Sequence, residues 1–422
     1  MTSNFITQEL FSEISSIKTK QVERLLHLGQ WKLEQESTET SGSAMKLDNL
    51  PRDILETIVY NYKKIQPSKY VLRDWVPKDK LDWFALSGNP CAIDILMEQA
   101  DYENSLSQEE YDKLEKNQKI SWMRLCINEE SIEILKKYPS KILWPYLSNS
   151  KKQQAVNMIK ERMEYEKINV PEFGEQNRVC YNSFCYNENP EIMELVKERV
   201  EYENRLETEE DYEDFEDILD WSYLSANPSA IDLLKDYKCY VDWVSLSSNT
   251  NPLAIDLLRE RAIEESKMSP KNYKACINKI DWDDVSSNPI AIDLLREYPK
   301  KIAWEALSSN PNAIELLKEN RKKIDWNMLS GNPNAIELLK ANPKKICSLH
   351  LSRNPNAIDI LKEDPSKIWW KYLSENDNAS ELIKMRYEYE SSLTPDELSN
   401  IKSWNKLDWS SLSKTKSIFM VA

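Results

Sequence analysis

In "IDWNMLSGNPNAIELLKANPKK", residues 324–345, apolar side chains fall at Ile324, Trp326 and Leu329 and again at Ala335, Ile336, Leu338 and Leu339, with polar residues between them. Neither set alternates with the period of a strand, and both follow the three-and-four spacing of one helix face. The pattern predicts two short helices. Asn332 is a natural N-cap, and Pro333 sits at the first helical position, where its missing N–H costs nothing. Asn334, Glu337 and Lys340 point away from the apolar stripe. A helix of about eight to ten residues should end at Asn342, read as a left-handed C′ residue before Pro343. Asp325 caps the other helix, of one to two turns, in which Trp326 and Leu329 share a side.

The same phrase recurs. Aligned on the apolar residue two before the Trp, units start at Leu81, Ile120, Ile142, Val179, Leu219, Val241, Ile280, Ile302, Ile324, Ile346 and Ile368, with a truncated copy at Leu407. That is about eleven and a half units. Most are 22 residues long, whereas those at Leu81, Ile142, Val179, Val241 and Ile368 run to 37–40. In these the second helix continues and a third is predicted from restarts such as Ser107 with Glu110 and Thr394 with Pro395 and Glu397, which fit the capping box. Helices this short do not stand alone in water, where about 12–15 residues are needed even for marginal stability. Each unit must bury its stripe on the next, giving an all-α, elongated solenoid of helix-turn-helix repeats with an extra helix in some units. A leucine-rich repeat shares the period and the "LSGNP" wording, but it would put Asn327, Asn334 and Glu337 at buried positions, and the reading is rejected.

Three regions follow. Residues 1–45 form a helical arm, spaced on Phe11, Ile14, Ile17, Val22 and Leu25, ending in the polar linker "ESTETSGSA". Residues 46–79 form a helical cap, and residues 80–422 form the solenoid. The apolar tail "SLSKTKSIFMVA" is expected to close the last unit or to dock on a partner.

Composition narrows the function. Five Gly in 422 residues leave little for phosphate-cradling loops or nucleophile elbows. Two His, His27 and His350, leave few bases for neutral-pH catalysis, and both read as solvated or packing residues. The seven Cys show no CxxC pair and read as small buried hydrophobes. The acidic run "ETEEDYEDFED" (207–217) reads as a solvated face, since no calcium-loop pattern accompanies it. No catalytic, cofactor or metal residues are expected. The formal charge of −15 disfavours nucleic acid and suits a protein partner with a basic surface. No stretch reaches 18 apolar residues and no signal peptide is apparent, so neither membrane insertion nor secretion is expected. The Trp series, one per unit and three residues before a Leu, reads as a core ladder rather than a stacking platform, and the Asn of "NP" as a cap rather than a peptide clamp.

The unit wording "LSSNPNAIELLKENRKKI" and "LSRNPNAIDILKEDPSKI" resembles tandem repeats of proteins from giant viruses of the nucleocytoplasmic large DNA virus group, over roughly residues 80–415. That resemblance implies a viral protein in host cytoplasm or virion, either an interaction scaffold or a structural component. A second one lies upstream: "LDNLPRDILETIV", residues 47–59, is similar to the start of an F-box, with Leu50, Pro51, Ile54, Leu55 and Ile58 in the matching places. It implies contact with a Skp1-like subunit of a ubiquitin ligase. An ordinary amphipathic helix explains the same residues.

Overall fold

The computed structural model describes residues 70–169, 177–205 and 217–422. Leu50, Pro51, Ile54, Leu55, Ile58 and His27 lie outside them. Residues 70–422 form one compact unit, an all-α array of the expected helix pairs.

The unit at Ile324 shows the plan. Asp325 caps the helix Trp326–Gly331, its carboxylate accepting the Met328 N–H at 2.9 Å. Leu329 is wholly buried, whereas Trp326 is half-buried, packed on the core by one face. The second segment is shorter than the sequence suggests. After Asn332 the chain makes a tight turn of 3-10 type, and only Ile336–Lys340 is α-helix. Sister units show a 3-10 turn proper, as at Pro311–Ala313. Such a turn lets the cap's carboxamide oxygen reach the N–H two residues on, as Asn332 does with Asn334 at 3.0 Å. Asn342 is not left-handed either, with φ −134°. Its amide instead donates to the Leu338 carbonyl at 2.9 Å and so satisfies the helix end directly. A 3-10 turn, Pro343–Lys345, leads into the next unit.

The predicted third helices are present in the long units at Leu81, Val241 and Ile368, as Gln108–Lys113, Pro270–Ala275 and Pro395–Asn400. Both expected capping boxes form, Ser107 with Glu110 and Thr394 with Glu397. The matching segments of the units at Ile142 and Val179 lie outside the described residues.

From unit to unit the Trp helices pack directly on one another, and more closely than the second helices do. The closer-spaced layer takes the smaller radius, so the wall curves with the Trp helices on its concave side. The curvature brings the array's own ends together. Strand β1 (Tyr70–Leu72) pairs antiparallel with β2 (Phe419–Val421), with Tyr70 opposite Val421, Val71 opposite Met420 and Leu72 opposite Phe419. The Arg73 N–H donates to the Ile418 carbonyl at 3.0 Å, and Trp75 rests on Tyr387, ring centroids 5.9 Å apart. Residues 70–79, assigned from sequence to a cap, thus supply the second half of the truncated twelfth unit together with Lys80. The tail closes that unit, with Ile418 and Phe419 buried.

Candidate interaction surface

Which polar side chains are free to meet a partner depends on which the ring already uses. Six Asn of "NP", Asn89, Asn227, Asn288, Asn310, Asn332 and Asn354, are buried, and their two amide hydrogens point back one unit. Asn332 donates to the carbonyls of Ser308 at 3.0 Å and Asn310 at 2.9 Å, Asn354 to Ser330 and Asn332, and Asn376 to Ser352 and Asn354. The carboxamide oxygen meanwhile caps its own turn, so the side chain has nothing left for a ligand. The cap expected from sequence is there; the backward ladder is what sequence reading missed. At the seam Asn89 makes the same two bonds, to Ser413 at 3.0 Å and Thr415 at 2.9 Å.

A second ladder runs through the Ser of "LS". Ser308 Oγ donates to the Trp304 carbonyl at 2.7 Å and accepts the Asp325 N–H of the next unit at 3.0 Å. It too crosses the seam, from Ser413 Oγ to the Asp82 N–H at 3.0 Å. Cys126 and Cys185 replace Ser in two units; Cys126 Sγ accepts the Leu143 N–H at 3.3 Å, and burial pushes its thiol up to about 11. Cys91 and Cys185 are buried as expected; Cys239 is exposed, a correction to the uniform reading.

The exposed faces of most of the Trp rings have a neighbouring side chain against them. In three short units the residue that ends the unit lies over the indole: Lys345 on Trp326 at 4.4 Å, Lys301 on Trp282 at 5.9 Å, and Tyr240 stacked on Trp221 at 4.8 Å. Lys80 does the same for Trp409 at 5.6 Å across the seam. In long units an Arg of the extended helix takes this place, with Arg261 over Trp243 at 5.2 Å and Arg386 over Trp370 at 5.0 Å. Four residues on, a carboxylate pairs with that Arg and accepts the first N–H of the following unit. Glu265 takes Ile280 at 2.9 Å, Glu390 takes Leu407 at 3.0 Å and Glu203 takes Leu219 at 3.2 Å. Gln99 and Glu103 form the version in the first unit. The recurring R-x-x-x-E was the available signal, hidden because it falls in insertions of unequal length. Glu103 lacks a cationic partner within ion-pair distance, and burial pushes its carboxyl above the usual range against the pull of the Ile120 N–H.

The exposed second helices are laced to one another by ion pairs, as Arg259 with Glu297, Arg296 with Glu319 and Lys362 with Glu381. On the concave wall, positions following the Trp vary freely: the Tyr186 and Tyr223 rings lie tilted against each other, centroids 4.0 Å apart, Arg353 lies over Tyr372 at 4.3 Å, and His350 stands beside Gly331, where a Cβ would come within 3.7 Å of it. Asp217, the end of the acidic run, is buried and holds the Tyr181 N–H, so this residue is not part of a solvated face. Burial raises its pKa. An open groove of about 540 Å³ lies between the units at Ile120 and Ile142, with Trp144 and Arg162 in its wall. No three His, Cys, Asp or Glu come together in a metal-binding group among the described residues, and none of their helices is long and apolar enough to cross a membrane. Compared with family models, curated proteins and solved structures, the chain matches none of them.

Proposed function

We propose that the protein is a non-enzymatic interaction scaffold, a viral product acting in host cytoplasm or in the particle. The observation that carries this reading is the division of labour within each unit. Asn, Ser, Leu and Trp are consumed in holding neighbours together, while the positions facing outward differ from unit to unit. Such a wall presents an ordered surface whose chemistry is set locally without disturbing the core. Two His and five Gly in the whole chain argue in the same direction, against catalysis. The acidic remainder of the surface suits a protein partner with a basic face.

The upstream resemblance gives the scaffold a second reading, as an F-box adaptor, and closure of the ring dictates how to test it. A truncation must spare β1, so the comparison is between the full chain and one lacking residues 1–60, each used for affinity purification from host cytosol. Recovery of a Skp1-like subunit by the full chain alone supports the adaptor. Recovery of virion proteins by both supports a structural component. Turnover of a substrate by the purified chain would sink both.

A further inference from the structure

The charge of −15 is not spread evenly. In the connecting segments 267–279, 298–301, 320–323 and 342–345 there are eleven Lys and Arg and no Asp or Glu. These segments belong to consecutive units and lie side by side: Lys301 of the second donates to the Tyr273 hydroxyl of the first at 3.2 Å. Elsewhere on the same units most exposed cations are neutralised, as in the Arg259–Glu297, Arg296–Glu319 and Lys318–Glu315 pairs. Among the described residues no carboxylate lies within ion-pair distance of any of the eleven.

The segments also have a shape. The four units from Ile280 to Ile346 are all short, so no third helix stands over their loops. The third helix Pro270–Ala275 bounds the row at one end and Pro395–Asn400, followed by the half-exposed Trp404, bounds it at the other. Just beyond Pro270–Ala275, Ile277 is 92% exposed, an apolar side chain at the edge of a cationic shelf.

We propose that this shelf, between residues 267 and 345, is a docking site for an extended acidic protein segment. Packed helical units repeat at about 8–10 Å, and an extended chain rises about 3.3 Å per residue. A carboxylate at every third residue therefore keeps register with the loops, and an apolar residue at one end meets Ile277. A nucleic acid or an anionic lipid surface is disfavoured by what borders the shelf. Each neighbouring second helix exposes a carboxylate, Asp293, Glu315, Glu337 and Asp359. A broad anion would lie across these, whereas a single extended strand follows the loops alone.

The proposal rests on the scaffold reading, and the test separates the two. A labelled extended peptide with Glu at every third residue and a terminal Leu is titrated onto the full chain. Binding is expected to weaken steeply with salt and to fall at least tenfold in R321E/K322E/K323E/K344E. The control K371E/K414E, on exposed cations away from the shelf, should bind as the unaltered chain does. Equal binding by the charge-reversed chain overturns the proposal, as does tighter binding of a single-stranded oligonucleotide or of phosphatidylserine vesicles than of the peptide. Thermal midpoints of all variants are compared to show that the reversed chain is folded. If the peptide fails to bind even the unaltered chain while partners from cytosol are still retained by it, the shelf is wrong and the scaffold stands.

Discussion

At the scale of the residue, the Asn ladder shows how a polar group can be both buried and indispensable. A buried amide that loses its acceptors, or carbonyls that lose their donors, cost far more than a bond gains. One unit tests this. Ser150 stands where the ladder needs Asn, its hydroxyl is unpaired, and the Asn128 carbonyl behind it receives no side-chain amide from that unit, and from the backbone only the Ser131 N–H at 3.0 Å. The preceding unit compensates. It carries Ser131 where sister units carry Ala, and that hydroxyl lies within hydrogen-bond reach of both the Asn128 carbonyl at 2.8 Å and the Leu125 carbonyl at 2.5 Å. Ser131→Ala should therefore destabilise by about 1 kcal/mol, and Ser131→Ala with Ser150→Asn should be more stable than the two single effects predict by a similar amount. Denaturant midpoints of the four proteins measure the coupling, and simple additivity would refute it.

At the scale of the element, the sequence was most legible where a boundary has a local cause. Asp325, Ser107 and Thr394 cap the helices assigned to them because an N-cap is decided within four residues. It was least legible where a side chain acts across units. The Arg–Glu device of the long units and the stacking of Lys345 on Trp326 join positions about 20 residues apart, and no local pattern distinguishes a stacked Lys from a solvated one. The expected Trp core ladder is met by one face only, for the same reason: each indole packs on a core that Leu fills, and sits half-buried at its edge. The Glu103 cap adds a pH signature. Its carboxyl titrates above the unfolded range, so folding favours the protonated form. That contribution is complete below the unfolded value and is lost as pH rises through the folded one. Glu103→Gln has no such term, so its stability relative to the unaltered chain should improve from about pH 4 upward. Thermal midpoints across that range would show the divergence; parallel curves would remove Glu103 from the account.

At the scale of the whole array, the helix-pair solenoid could be read from periodicity, but its closure could not. Closure depends on the small rotation from each unit to the next, and a repeat sequence does not encode an angle in any single position. The structure makes the seam an interface like the others, which is a measurable claim. Asn89→Ala, at the seam, should destabilise as much as Asn332→Ala far from it, each by about 2–4 kcal/mol from two lost amide bonds and a lost cap. In an open array Asn89 would belong to a frayed end, and its replacement would cost little. A near-neutral Asn89→Ala beside a costly Asn332→Ala would thus show that the ends part in solution.

Closure also bears on how such a chain can change in length. An open stack grows by duplication, since one more copy adds an interface and disturbs none. A circle of twelve has no such liberty, because a thirteenth copy would alter the angle at every existing joint. Length can then be gained only between the joints, outward from the rim. The mixture of 22-residue units with units of 37–40 is the record such a constraint leaves: the number of copies stays put while the copies themselves swell.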